Sequence, residues 1–199
     1  MKFVFSLLFS IVFTGVLAGI YLFHAWHLPV QVIFYSAMED ALVATIVTAA
    51  LVFTLRRRLP FGGFERFLLV LVWLLAGYGF AISGPAVLDR SLSFYILEKL
   101  QQRGGGIRED AISQVFVNEY LPEFRLVDVR LTEQLQSGTI EIVNGCVRLT
   151  DWGQRLASFS HFTRTHLLAR HRLLAGVYTD ALVDPLAHGA QGPQGYECH

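Results

Sequence analysis

Charge is what this sequence has least of: only 16% of its 199 residues are Asp, Glu, Lys or Arg, while 53% are hydrophobic. That shortage excludes an ordinary soluble domain, and because it is concentrated in the first 84 residues it points to a membrane. A basic excess is missing as well. Residues 1–88 carry Lys2, Arg56, Arg57, Arg58 and Arg66 against Glu39, Asp40 and Glu65, which leaves 11 basic and 13 acidic residues beyond them. A polar half with a charge of about −2 lacks the electrostatic footprint that a phosphate backbone requires, so nucleic acid is disfavoured as a partner. Cysteine is scarce. Cys146 and Cys198 each stand alone, which fits no zinc or redox spacing, although an oxidising compartment would allow them to pair. There is no nucleophile motif, phosphate loop, dinucleotide fingerprint or Cys/His cluster, so no cofactor is expected and a non-catalytic role is favoured over an enzyme.

What is present is apolar length. Val4 to Phe23 is 20 residues without a charge, enough to cross a hydrocarbon layer of about 30 Å as a helix. The stretch from His24 to Pro29 follows, read as an interfacial turn in which Trp26 and later Tyr35 suit the headgroup region. Ala41 to Leu55 is too short to span alone, so its helix is expected to begin at Ser36, where Ser36-Ala37-Met38-Glu39 has the form of a capping box. A third run, Phe67 to Ile82, extends through Ser83, Gly84, Pro85 and Ala86. The fold class expected is therefore mainly α, with three transmembrane helices over residues 1–86.

Orientation rests on Leu55 to Arg66, which holds Arg56, Arg57, Arg58 and Arg66, whereas the loop from His24 to Glu39 holds no Lys or Arg. Short loops rich in Lys and Arg stay cytoplasmic, which places the rest of the chain outside, in the periplasm of a bacterial inner membrane.

Beyond the third span the periodicity changes. Leu92, Ile96 and Leu100 form an apolar stripe over Ser91 to Arg103, with Asp89 read as the cap of that helix. Ile112, Val115, Phe116 and Tyr120 mark a second helix, and Val127, Leu131 and Leu135 a third over Arg125 to Gln136. Thr139 to Val143, the turn Asn144-Gly145 and Cys146 to Leu149 read as a hairpin. Thr150 then caps a fourth helix with Trp152, Leu156 and Phe159 as its buried stripe. Three helices, a hairpin and a closing helix over residues 89–163 resemble a winged-helix domain, notably where the second strand ends in Leu149-Thr150 with Gly153 soon after. In DNA-binding members of that superfamily the third helix reads base edges. Here it is neutral, with Arg125 and Arg130 against Asp128 and Glu133, and the wing adds Arg148 against Glu141. Protein contact is thus favoured over DNA contact. Thr165 to Leu174 reads as a basic amphipathic helix within a segment 164–187, and residues 188–199 as a disordered tail.

These readings give a scaffold or accessory protein of an envelope complex, with the bilayer and a membrane or envelope protein as partners. Its contact surface comprises Arg125, Asp128, Arg130, Glu133, Gln136, Arg148, Arg170 and Arg172. Two alternatives remain: a membrane-tethered transcription regulator, and an envelope glycan or lipid enzyme using Asp40 and Asp89. His24 and His27 are weak metal candidates. His161, His166 and His171 rotate around a helix and are expected to be solvated.

Overall fold

The computed structural model describes residues 2–187, and it divides into two compact units at Leu126/Val127. Three of the described helices are long and apolar enough to cross a membrane. The first, α1, runs Lys2–His27, so His24 and His27 belong to its last turn rather than to an interfacial turn. The second, α2, is Ile33–Thr54 with Val32 at its N-cap. It starts three residues before Ser36, and the capping box expected at Ser36 and Glu39 is not formed, because Ser36 lies a full turn inside the helix. The third, α3 (Gly63–Ala81), passes through a π-helical turn at Ile82–Ala86 into α4 (Val87–Arg90). Pro85 explains that turn: it lacks an N–H and its ring crowds the carbonyl four residues back, a clash the wider winding relieves.

Contacts between side chains fix the helix directions. Lys2 pairs with Glu65, Phe13 stacks on Trp73 at 5.8 Å, and Tyr21 meets Phe80 edge-on at 5.3 Å, so α1 and α3 run parallel. His24 meets Asp40, while Ala41 meets Gly77 and Phe53 meets Arg66, so α2 runs against both. The core between them joins Phe9, Phe13 and Leu17 to Ala41, Ala44, Val52 and Trp73. Small residues dominate the α2 side, where Ala37 and Ala44 are fully buried and the hydroxyls of Thr45 and Thr48 bond back to Ala41 O and Ala44 O. Such residues let helices approach closely where lipid removes the hydrophobic drive between them.

The remainder of the first unit is helical: α5 (Leu92–Gln102), a 3₁₀ turn Glu109–Ala111, α6 (Ile112–Val115), a π turn Phe116–Tyr120 and α7 (Leu121–Glu123). Ser91, not Asp89, caps α5, its hydroxyl accepting from Phe94 N at 3.3 Å. The buried positions of α5 are Tyr95 and Lys99, not the expected row through Leu92, which is exposed. Aromatic rings draw that face inward: Tyr95 lies 4.6 Å from Tyr120 and 5.4 Å from Phe124, ring centre to ring centre.

In the second unit α8 (Leu126–Gln136) begins after Arg125, whose positive φ of 44° keeps it outside the helix. Strands β1 (Ile140–Val143) and β2 (Cys146–Leu149) form the expected hairpin, with Asn144 and Gly145 both at positive φ as a type I′ turn requires. Thr150 caps α9 (Asp151–His166), accepting from Gly153 N at 3.1 Å. Here one expectation fails. Trp152, Leu156 and Phe159 are 56%, 43% and 64% exposed, because α9 meets the hairpin through Gly153 and turns that row away. The helix expected over Thr165 to Leu174 is also absent: α9 ends at His166, and β3 (Arg172–Leu174) pairs with β4 (Val177–Thr179) across Ala175 and Gly176, both at positive φ. A β-turn with that geometry competes with helix because it lets Leu173 face Tyr178 across the pair. Cys198 and the tail 188–199 lie outside the described residues.

Candidate functional site

The one buried carboxylate of the spanning helices among the described residues is Asp40, 4% exposed, in the second turn of α2. Ionisable groups held inside a spanning segment mark functional sites by default, since lipid penalises them. Antiparallel packing brings the end of α1 to the start of α2, and His24 Nδ1 lies 2.7 Å from Asp40 Oδ1. An ionised carboxylate only accepts, so beside it Nδ1 is the donor. Ser36, one turn before Asp40 and therefore on the same face, sets its hydroxyl 3.2 Å from His24 Nδ1 and 3.3 Å from Nε2. The other oxygen, Asp40 Oδ2, is buried and has no hydrogen-bond partner among the described residues. A buried acceptor left unpaired costs about 1–3 kcal/mol, more when charged. A cavity of about 230 Å³ lies against the Asp40 side chain, lined also by Tyr21, Ala25, Val30, Ile33 and Ser36.

Serine, histidine and aspartate in contact suggest a nucleophilic triad, but the distances argue otherwise. A hydroxyl nearly equidistant from both ring nitrogens lies over the plane that bisects them, not along the Nε2 lone pair through which a base would take its proton. The arrangement holds Asp40 rigidly without activating Ser36.

No family model matches the chain, nor does any curated protein or solved structure.

The other sequence candidates are placed apart from this cluster. His27 turns Nδ1 to Phe23 O at 3.0 Å and stacks on the Phe23 ring, away from His24. Among the described residues no group of three or more His, Cys, Asp or Glu is arranged to hold a metal. Glu39 is exposed, and no hydrogen bond or ion pair joins the half-buried Asp89 to Asp40 among the described residues. Arg56, Arg57 and Arg58 are exposed in the turn after α2, while Arg66 bonds Gly62 O at 3.2 Å and lies over the Phe53 ring. In the second unit Arg130 pairs with Glu133 at 2.6 Å, and Arg148 stands opposite Glu141 in the hairpin. Arg172 bonds Ala169 O, Gln136 and Arg170 are exposed, and Asp128 lies in the first turn of α8. His161, His166 and His171 are exposed as expected.

Sequence reasoning overlooked a second charged cluster. Lys99 is 7% exposed, with Glu119 Oε2 at 2.9 Å and Glu123 Oε1 at 2.6 Å, while Tyr95 donates its hydroxyl to Glu123 at 3.1 Å. Hydrogen bonds donated to Glu123 and Glu119 push the Lys99 ammonium well above its ordinary range. The bond from Lys99 holds Glu119 below the usual carboxylate range, and burial raises the Tyr95 phenol. An amine that stays protonated through the neutral range offers no lone pair there for nucleophilic or base chemistry, so this cluster is a structural clamp between α5 and the segment Phe116–Glu123.

Proposed function

We propose that the chain is a non-catalytic accessory protein of the bacterial inner membrane, anchored by α1–α3 and presenting a protein-interaction module to an envelope complex. The observation that carries this reading is the row Trp152, Leu156 and Phe159 on α9, three large apolar side chains that remain 56%, 43% and 64% exposed. Exposed apolar rows of that kind mark contact surfaces, and Trp is prominent among residues that dominate binding energy. The order α5, α6–α7, α8, β1–β2 and α9 supports a winged-helix-like module over residues 89–163. The ion pair of Arg130 with Glu133 and the placing of Arg148 opposite Glu141 in the hairpin favour an apolar, weakly charged protein face over a phosphate backbone as occupant.

The arginines at 56–58 and 66 favour a cytoplasmic turn and hence a periplasmic module. Alkaline phosphatase fused after His199 is expected to be active; fluorescence from a reporter that matures only in the cytoplasm would sink that orientation and favour a tethered regulator instead. Affinity capture of the full chain in mild detergent is expected to recover an envelope membrane protein that a Trp152→Ser/Phe159→Ser variant loses. Recovery of the same partner by that variant would remove α9 from the interface.

A further inference from the structure

We propose that the cavity beside Asp40 binds a primary ammonium group, carried either by an aminophospholipid headgroup or by a small soluble amine. The site is independent of the α9 surface and lies in the spanning unit. Three observations converge on it. Asp40 is 4% exposed, its Oδ1 is fixed by His24 Nδ1 at 2.7 Å, and its Oδ2 has no donor among the described residues. The cavity at that carboxylate also offers the Ser36 hydroxyl, and its walls are otherwise the apolar Ala25, Val30 and Ile33 with the Tyr21 side chain. Asp40 follows Ile33 by seven residues, about 11 Å along α2, so it lies toward one end of a spanning helix and not at its middle.

The chemistry selects the ligand class. An ammonium group carries three N–H donors and one positive charge, so it can give one bond to the Asp40 carboxylate and another to Ser36 Oγ while balancing a buried negative charge. A quaternary ammonium has no N–H to give. A divalent cation needs about six oxygens, and among the described residues no group of three or more His, Cys, Asp or Glu gathers at Asp40 to supply them. An anion is repelled by Asp40. A cavity of about 230 Å³ holds several water-sized groups and so has room for an ethanolamine-sized head.

The test uses the full chain in nanodiscs of phosphatidylglycerol with equal phosphatidylethanolamine and phosphatidylcholine of matched chains, followed by native mass spectrometry. Retained phosphatidylethanolamine is expected to exceed phosphatidylcholine by about tenfold, the worth of one charge-assisted hydrogen bond. Asp40→Asn should abolish the preference. So should Ile33→Trp, which fills the cavity and leaves the carboxylate and its His24 partner in place. A second arm titrates ethanolamine calorimetrically into discs lacking phosphatidylethanolamine; binding there without a lipid preference assigns a soluble amine as the ligand. Equal retention of the two lipids with no ethanolamine binding overturns the proposal, as does a preference that survives both substitutions.

Discussion

Gly77 on α3 and Ala41 on α2 meet so closely that a Cβ added at residue 77 would stand 2.8 Å from the Ala41 Cβ. Real methyl groups do not approach to that distance, so the two helices are in contact through the absence of a side chain. The same point fixes the height at which Asp40, the next residue back, faces α1. Gly77→Ala is expected to destabilise the bundle by about 1–3 kcal/mol, the usual cost of overpacking. Ala41→Gly in the same molecule should recover most of that loss. Thermal melting of the four proteins of this cycle in detergent checks it: a coupling below about 0.5 kcal/mol would mean that the contact does not limit the packing.

Lys99 gives the helical region after the spans a defined pH response. Its folded pKa lies above the ordinary 10.5, so the stability it contributes is complete below pH 10.5 and is lost as pH rises through the folded value. Glu119 is shifted down from 4.5, so its contribution is complete above pH 4.5 and is lost as pH falls through its folded value. Lys99→Met removes the common partner of Glu119 and Glu123. The variant should melt below the wild type throughout pH 4.5–10.5 and lose part of the acid and alkaline dependence at both ends. A melting difference that stays constant far outside that window would show that packing, not charge, explains the loss.

Gly153 is the point at which α9 rests on the hairpin. A Cβ there would run into the carbonyl of Thr139, a backbone atom that cannot swing aside, and Thr139 O also accepts from Thr150 N at 3.1 Å. Gly153→Ala should therefore cost about 3 kcal/mol or more. Gly145→Ala, which only forces a left-handed conformation at φ 78°, should cost about 1–2 kcal/mol. Pulse proteolysis of the full chain orders the two. If Gly145→Ala proved the more damaging, the hairpin turn rather than the α9 seat would govern this unit.

The three spans, the I′ hairpin and the Thr150 cap were legible because each depends on local chemistry: apolar length, positive φ at Asn144-Gly145, and a hydroxyl before a helix. The site was half legible. Asp40 and His24 stood out as ionisable residues beside apolar runs, but their pairing depends on antiparallel packing of α1 on α2, and no local pattern encodes that. Ser36 was assigned to a cap because S-x-x-E is a cap signature wherever a helix begins, and the helix began earlier. Lys99 was missed for a related reason: its burial depends on two glutamates more than a dozen residues away and on a ring of aromatics. Trp152, Leu156 and Phe159 have the spacing of a buried stripe, and periodicity records which residues share a face, not whether anything covers it.

The ion pair between Lys2 Nζ and Glu65 Oε1, 2.9 Å long, places the start of α1 beside the start of α3. Five cations, Lys2, Arg56, Arg57, Arg58 and Arg66, therefore gather at one end of the bundle, and the stretch from His24 to Glu39, which holds the α1–α2 connection at the other, has no Lys or Arg. Orientation follows the Lys and Arg count of short loops, so this imbalance should hold the second unit outside. Lys2 is partly matched by Glu65, and Lys2→Ala alone should leave a phosphatase reporter after His199 fully active. Replacing Arg56, Arg57, Arg58 and Arg66 by Ala, together with Leu28→Arg and Gln31→Arg, leaves Lys2 alone against two arginines and reverses the imbalance. That variant should lose most phosphatase activity and gain cytoplasmic fluorescence in the paired reporter. Unchanged phosphatase activity would mean that the length of the third spanning segment, Gly63–Arg90 at 28 residues, decides orientation in place of the arginines.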